Sequence, residues 1–328
     1  MHFLQDKSIL VTGGTGSFGS ALVEKLLKIS RPKRIIVYSR DELKQFEMKN
    51  RISSPNLSYV LGDVRDVDRL SSVMSGVDYV VHAAAMKQIP ASEQNPTEAI
   101  RTNIIGAENI IKSALDASVD KVIALSTDKA ANPANLYGAT KLCSDKLMIA
   151  ANMLESSAKT KFSAVRYGNV LGSRGSVIPF FLSMKKEGFI PITDLKMTRF
   201  WITIEQGVNF VLDSLNTMKG GEIFVPKIKS FTVEKIARIV APDLPIRIIG
   251  VRPGEKIHEV MVTEDDSNTT FNLSNCFAIV SENVPSYSYY LKNFEKVQTG
   301  FRYSSDSNED WYSIESFTEL LKELNLLT

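Results

Sequence analysis

Ser8-Ile9-Leu10-Val11-Thr12-Gly13-Gly14-Thr15-Gly16-Ser17-Phe18-Gly19 decides how this chain is read. Ser8 to Thr12 make a short apolar strand. A glycine-rich turn follows at once, and Ala21-Leu22-Val23 to Leu26-Leu27 then repeats with a helical period. Strand, glycine turn and helix, in that order, form the context in which the free N–H groups of a helix N-terminus meet phosphate. Gly13 permits the tight turn, Gly16 lets backbone approach a pyrophosphate, and Gly19 lets helix and strand pack closely. The spacing is G-x-x-G-x-x-G rather than G-x-G-x-x-G. A glycine triplet by itself is often only a turn; here the flanking pattern favours a dinucleotide site.

The next strand, Arg34-Ile35-Ile36-Val37-Tyr38, ends in Ser39-Arg40-Asp41. A site for NAD usually carries a carboxylate there for the ribose 2′-hydroxyl. This chain places Ser39 and Arg40 first, with Lys44 one helical turn further on. Cations suit a 2′-phosphate, so the expected cofactor is NADP. Asp41 runs against that reading unless it caps the helix that begins near Glu42. Leu57 to Val64 is a third strand, ending at Asp63, placed to meet the adenine amino group. Asp78 to Ala85 is a fourth, whose small residues after His82 let a flat cofactor lie against backbone. His82 itself reads as a satisfied structural histidine.

Further along, Lys121-Val122-Ile123-Ala124-Leu125 is another buried strand, and Ser126-Thr127-Asp128-Lys129 follows it. Tyr137-Gly138-Ala139-Thr140-Lys141 then opens a helix, with Tyr137 and Lys141 on one face. A cation beside a phenol favours the phenolate, which makes Tyr137 a candidate base for an alcohol proton. Tyr-x-x-x-Lys occurs by chance about once in a chain of this size. It gains meaning from the glycine turn upstream and from the adjacent carboxylate and amine of Asp128 and Lys129.

At 328 residues the chain is long enough for one large or two modest domains. It is 44% hydrophobic and 23% charged, as soluble globular proteins are. A net charge of +2 gives no global case for binding nucleic acid or membrane. Cys143 and Cys276 have no metal-ligand spacing and make no disulfide framework, so no metal is expected and a reduced cytoplasm is the plain reading. No apolar stretch reaches the ~18 residues of a membrane span, and the first strand begins too early to leave room for a signal peptide.

Candidate helices at 17–30, 41–52, 66–75, 96–117 and 137–158 alternate with short Val- and Ile-rich strands, the last near Phe162 to Arg166. That alternation predicts an α/β fold, a doubly wound parallel sheet of the Rossmann type. After Gly172 loops lengthen, and Gly, Pro and charge gather at 172–200 and 226–256, which reads as a smaller mixed α/β substrate lid. The expected organisation is a cofactor domain over 1–171, to which 201–225 returns, a substrate-binding region over 172–284, and a tail over 285–328. Ile204 to Met218 is an expected helix and Glu222 to Val225 an expected strand. The tail holds Tyr287, Tyr289, Tyr290, Phe301, Tyr303 and Trp311; it either packs on the body or brings Tyr303 or a neighbour to the ligand.

With these motifs in hand, the chain resembles the extended short-chain dehydrogenase/reductase family. Within it the likeness is to the inverting UDP-N-acetylglucosamine 4,6-dehydratases (C5-epimerising) that open bacterial pseudaminic acid biosynthesis. It runs from about residue 4 to the C-terminus, loosely beyond Glu282. It is carried by Ser39 to Gln45, Ala85-Met86-Lys87, Ser126 to Lys141, Arg166-Tyr167-Gly168-Asn169-Val170, Met197 to Trp201 and Arg252-Pro253-Gly254-Glu255-Lys256. Thr127-Asp128-Lys129 is the most specific part, since retaining sugar dehydratases carry Thr-Asp-Glu there.

The resemblance implies UDP-GlcNAc as substrate, a homo-oligomer, and helices 96–117 and 137–158 as a bundle interface. It implies a cofactor set of Gly13, Thr15, Gly16, Ser17, Phe18, Gly19, Ser39, Arg40, Asp41, Lys44, Asp63, Val64, Ala83, Ala84, Lys87, Leu125, Ser126, Tyr137 and Lys141. Tyr137, helped by Lys141, would take the C4 hydroxyl proton, with Thr127 bonded to the same hydroxyl. Lys129 would remove the C5 proton, which requires a lowered pKa, and Asp128 would protonate the departing C6 oxygen, which requires a raised one. Lys87, Asn169, Arg174, Arg199, Arg252 and Glu255 are the substrate candidates, Arg174 at a helix start suited to phosphate and Arg199 either there or bracing the lid.

Overall fold

In the computed structural model, residues 2–154, 159–173 and 176–327 are described. The first half runs β1 (Ser8–Thr12), α1 (Ser17–Ile29), β2 (Arg34–Ser39), α2 (Glu42–Arg51), β3 (Leu57–Leu61), α3 (Val67–Met74), β4 (Tyr79–His82), α4 (Ile89–Gln94), α5 (Pro96–Ile100), α6 (Gly106–Asp116), β5 (Lys121–Leu125), α7 (Leu136–Ala150) and β6 (Lys161–Val165). The second runs β7 (Asn169–Val170), α8 (Val177–Met184), β8 (Ile190–Ile192), β9 (Thr198–Ile202), α9 (Ile204–Thr217), β10 (Glu222–Pro226), β11 (Ser230–Thr232), α10 (Val233–Val240), β12 (Ile246–Ile248), β13 (Val260–Val262), β14 (Thr270–Asn272), β15 (Cys276–Val280), α11 (Tyr287–Asn293), β16 (Glu295–Lys296), β17 (Tyr303–Ser304) and α12 (Ile314–Glu323).

The main sheet has the order β16-β14-β15-β10-β6-β5-β4-β1-β2-β3, and β3 through β10 are parallel. Central strands such as β1 and β4 are buried along their whole length, as strands covered on both faces must be. The expected doubly wound α/β sheet is therefore present. Strand order reverses between β1 and β4, and ligands of such sheets bind in the crevice outside the strand carboxyl ends at that point. The glycine turn, Ala83-Ala84 and Ser126 all follow strands at this edge.

Several elements differ from the expectation. β15, with β14 and β16, extends the main sheet in antiparallel sense, although 172–284 was read as a substrate-binding region and 285–328 as a tail. The cause is Cys276 to Val280, an apolar run that needs two covered faces and finds them beside β10. The helix expected over 96–117 is broken: α5 passes through a π turn at Arg101–Ile105 into α6. Asn103 sits in that turn, accepts from Met86 N at 2.8 Å and donates to Met86 O at 2.9 Å, so the irregularity fixes the loop after β4. The helix over 137–158 ends at Ala150, and 155–158 lie outside the described residues.

A second lobe stands over the carboxyl edge, built on β11-β9-β7, on the β12-β8 pair, and on α8, α10 and α12. Its own core holds Phe181, Trp201, Phe231, Ile236, Phe317 and Leu321. The Phe231 and Phe317 rings stack at 4.4 Å, so the last helix closes this lobe. The aromatic tail packs on the body: Tyr290 lies against Phe271, and the Tyr303 hydroxyl accepts from Ile228 N and donates to Ile228 O.

Candidate active site

A cleft of about 1190 Å³ runs from the glycine turn to the second lobe. At one end Gly13 has φ +64° and lies so close to the end of β4 that an added Cβ would sit 2.8 Å from Ala84 N. A Cβ on Gly19 would sit 2.6 Å from Gly13 O. This is a cradle that side chains would fill, and it fits a dinucleotide pyrophosphate. Thr15, Gly16, Ser17, Phe18, Ser39, Arg40, Asp41, Lys44, Val64, Ala83, Ala84, Lys87, Leu125 and Ser126 line the same cleft.

Asp63 does not. Its carboxylate accepts from Arg65 N at 3.0 Å, Nε at 2.9 Å and Nη2 at 2.6 Å, and Arg40 stands 3.6 Å away. An arginine two residues downstream thus engages the side chain that the sequence assigns to adenine. Burial alone would raise its pKa, but Arg65 and Arg40 hold it below the usual carboxylate range. Asp41 caps α2 by accepting from Lys44 N at 3.0 Å, and its other oxygen holds Lys44 Nζ at 2.6 Å. Arg40 is 55% exposed and Lys44 45%, so both cations of this corner reach solvent.

At the far end of β5, Thr127 caps a 3₁₀ turn at Asp128–Ala130. Its hydroxyl donates to Asp128 Oδ1 at 2.9 Å. Asn135 caps α7, accepting from Gly138 N at 2.8 Å, and donates to Gly254 O at 2.8 Å. That pair of bonds fixes the start of α7, and with it Tyr137 and Lys141, against the Arg252–Lys256 turn. Behind them Ser126 donates to Asp145 of α7 at 2.6 Å, and Arg166 stands 3.4 Å from the same carboxylate oxygen.

Thr127, Asp128, Lys129, Tyr137 and Lys141 share one stretch of cleft wall. Burial pushes the Tyr137 phenol up to about 12; the opposing pulls come from the Lys129 ammonium and the Thr127 hydroxyl. The lowering expected from Lys141 is not what the geometry supplies. Lys141 is itself buried and pushed down, with Asp145 as its countercharge. Lys129 also departs from the expectation. Burial pulls its pKa down, but Asp128 Oδ1 at 3.0 Å and Glu259 Oε1 at 3.2 Å outweigh this and raise it, despite nearby Arg199. In the resting protein Lys129 is an ammonium between two carboxylates. His82, bonded to Thr12 at 2.8 Å, is pushed down to about 3 by burial, then by Lys141, and is neutral and structural.

Of the substrate candidates, Lys87, Asn169, Arg199, Arg252 and Glu255 line the cleft, while Arg174 lies outside the described residues. Arg199 braces the second lobe, donating to Thr198 O at 2.7 Å, Ile257 O at 2.9 Å and Lys256 O at 2.8 Å. Arg252, 67% exposed, forks onto both Glu255 oxygens at 3.0 Å. Burial lowers the pKa of Lys87. Three buried atoms of the cleft residues have no hydrogen-bond or ion-pair partner among the described residues: Asp128 Oδ2, Asn169 Oδ1 and Ser176 Oγ. Unpaired polar atoms gathered at one cleft mark where a polar ligand belongs. Glu259 was missed in the sequence. Glu259 lies only three residues beyond the Arg252–Lys256 run, which is the one signal that pointed near it. Among the described residues no cluster of His, Cys, Asp and Glu could hold a metal, and no helix is long and apolar enough to cross a membrane.

A family model described as polysaccharide biosynthesis protein matches residues 9–281. The chain is 51% identical over 324 residues to the UDP-N-acetylglucosamine 4,6-dehydratase (inverting) of Campylobacter jejuni subsp. jejuni serotype O:2, covering 96% of this chain and 97% of that one. It is 40% identical over 332 residues to a UDP-glucose 4-epimerase of Rickettsia akari, covering 98% and 97%. Among solved structures, the X-ray structure of Pen from Bacillus thuringiensis matches with a TM-score of 0.91 at 37% identity, covering 99% of this chain and 100% of that one.

Proposed function

The chain belongs to the polysaccharide biosynthesis protein family, and from that premise we propose that it is an inverting UDP-N-acetylglucosamine 4,6-dehydratase that uses NADP. The observation that carries the reading is the Asp128–Lys129 pair, 3.0 Å apart, in the same cleft wall as Tyr137 and Lys141. A redox tyrosine alone serves many alcohols; a carboxylate and an amine beside it serve an elimination.

A nicotinamide dinucleotide held by the glycine turn at Gly13–Gly19 would supply the redox chemistry, a hydride taken up and later given back. As the phenolate, a form that burial opposes and the Lys129 ammonium and the Thr127 hydroxyl favour, Tyr137 takes the C4 hydroxyl proton, with Thr127 bonded to that hydroxyl. The resulting ketone acidifies the C5 proton. Lys129 must then be a neutral amine and Asp128 a carboxylic acid. One proton moved from Lys129 Nζ to Asp128 Oδ1 across 3.0 Å supplies both at once, breaking an N–H bond and forming an O–H bond with no change in net charge. Lys129 accepts the C5 proton as Asp128 gives its own to the C6 oxygen, which leaves as water. Reprotonation of C5 on the opposite face gives the inverted UDP-4-keto-6-deoxy-L-HexNAc.

Around the sugar, Asn169 Oδ1 and Ser176 Oγ are acceptors left open for hydroxyl or amide groups. Arg252, Lys87 and Arg174 are assigned to the diphosphate, and Glu255 to the uridine ribose. Arg252 must leave Glu255 to do this, which its exposure favours. Arg199 acts by holding the Lys256–Ile257 backbone. Arg40 and Lys44 are assigned to the 2′-phosphate. The cofactor role is given to residues 1–171 with 201–225, the substrate role to 172–284. A cytoplasmic homo-oligomer feeding a pseudaminic acid type glycan completes the reading.

The identity to a UDP-glucose 4-epimerase supports a second reading, C4 epimerisation. That reaction leaves Asp128 and Lys129 without a task. Incubation with UDP-GlcNAc in heavy water, followed by NMR, separates the two. Dehydration gives the 4-keto-6-deoxy product with deuterium at C5; epimerisation gives UDP-GalNAc; neither product sinks both readings. In Lys129→Ala, C5 exchange and water loss should fall about 10²–10⁴-fold while C4 oxidation persists.

A further inference from the structure

Glu259 lies just before β13 and is 2% exposed. Its backbone is held by the segment around β17: its N–H donates to Ser305 Oγ at 2.9 Å, and its carbonyl accepts from Ser305 N at 2.8 Å and Ser304 Oγ at 3.2 Å. Its carboxylate Oε1 is 3.2 Å from Lys129 Nζ and 3.8 Å from Arg199 Nε. Oε2 is 3.8 Å from Lys256 Nζ and has no hydrogen bond. Lys129 therefore faces Asp128 and Glu259 as anions, Arg199 and Lys256 as cations, and the Tyr137 phenol. Its own side chain is 22% exposed and reaches the cleft, whereas both Glu259 oxygens that meet these cations are deeper.

We propose that Glu259 is a positioning residue that fixes the Lys129 amine in place and sets how readily it gives up its proton, and with it the pH at which C5 proton removal begins. The proposal rests on the dehydratase reading only in its kinetic consequence. An anion beside an ammonium makes the proton harder to lose. Asp128 is the partner that must receive that proton, so a second carboxylate on another side of the nitrogen opposes the transfer. The base is thereby held in reserve, as an ammonium, in the resting site. Glu259 acts through Lys129 and does not itself meet the sugar.

The test is a titration of protein carrying ¹³Cε-lysine, with the Lys129 resonance assigned by its loss in Lys129→Arg. Glu259→Gln keeps the shape and removes the charge. The Lys129 midpoint should fall by about one pH unit or more, giving about tenfold more neutral amine at a given pH. Glu259→Asp keeps the charge on a shorter arm, so its midpoint should lie between the other two. With UDP-GlcNAc, the acid limb of C5 deuterium exchange should move down with the midpoint, while the pH profile of C4 oxidation and the KM stay as in the wild type. An unmoved or raised midpoint in Glu259→Gln overturns the proposal. Should that variant not fold, an unmoved midpoint in Glu259→Asp does the same. If UDP-GlcNAc is not turned over at all, the dehydratase reading fails and the titration still decides the role of Glu259.

Discussion

Gly138 follows Tyr137 and is pressed against the turn that carries Asp128 and Lys129. A Cβ built on it overlaps the Lys129 carbonyl oxygen, stands 3.0 Å from the Lys129 carbonyl carbon and 3.1 Å from Pro133 Cβ. Carbon atoms pack best at about 3.5–4.0 Å. Gly138→Ala must therefore part the start of α7 from the Thr127–Ala130 turn by about 1 Å or more. Neither side yields freely, since Asn135 ties α7 to Gly254 and Asp128 N donates to Tyr167 O at 3.2 Å. Overpacking costs about 1–3 kcal/mol, and the better helix propensity of alanine returns about 1 kcal/mol. The net loss of stability is up to about 2 kcal/mol. The gap, however, opens between Tyr137 and Lys141 on one side and Thr127, Asp128 and Lys129 on the other. A misplacement near 1 Å costs about 10²-fold in rate. Thermal melts and initial rates of 4-keto-6-deoxy sugar formation measure the two effects separately. Gly207→Ala in α9 is the control: no atom lies within 4 Å of its Cβ, so it should gain about 0.5–1 kcal/mol and keep its rate. A Gly138→Ala protein with a rate within about threefold of wild type, on the scale set by that 10²-fold expectation, refutes the claim that this contact sets the site.

Arg40→Ala should weaken NADP binding about 10–100-fold, as loss of a charge-assisted contact worth about 1.5–3 kcal/mol implies, and NAD far less; titration calorimetry giving equal losses would remove Arg40 from the 2′-phosphate. Tyr137→Phe should stop C4 oxidation while leaving the affinity for UDP-GlcNAc nearly intact, and oxidation at the normal rate would assign the C4 base to another group. His82 is pushed down to about 3 when folded and titrates near 6.5 when unfolded, so the unfolded chain takes the proton first. Its contribution is complete above about pH 6.5 and is lost toward about pH 3, at up to about 1.4 kcal/mol per unit. Denaturant midpoints in His82→Gln should depend less steeply on pH over that window, and an unchanged slope counts against the buried neutral imidazole.

What was legible in the sequence is what local chemistry encodes. β1 to β6 are short apolar runs bounded by turns, and each carries its period within itself. The glycine turn is a local device too, as is the cap of α2 by Asp41. Tyr137 and Lys141 share a helix face by spacing alone. Asp63 at a strand end looks free in the sequence, and only the fold shows Arg65 upon it. β14 to β16 were missed because Cys276 to Val280 shows that it must be buried but not against what. The broken helix over 96–117 turns on Asn103, whose side chain completes the loop at Met86, a partner that no helical period announces.

The charge on Lys129 is the clearest case of a property that no segment owns. Asp128 beside it is visible in the sequence, and burial could be guessed; together they left the sign of the shift open. Glu259 joins Asp128 on the raising side, and that residue arrives from beyond the second lobe. The meeting is built by particular bonds: Asn135 to Gly254, Lys256 Nζ to Ala131 O at 2.6 Å, and Lys129 to Glu259. All three join the segment 252–259 to the segment 129–135. The contacts that dock this turn onto the start of α7 thus include one that raises the proton affinity of Lys129. Docking and acid–base state are coupled in this fold, because one carboxylate serves as both a strut and a countercharge.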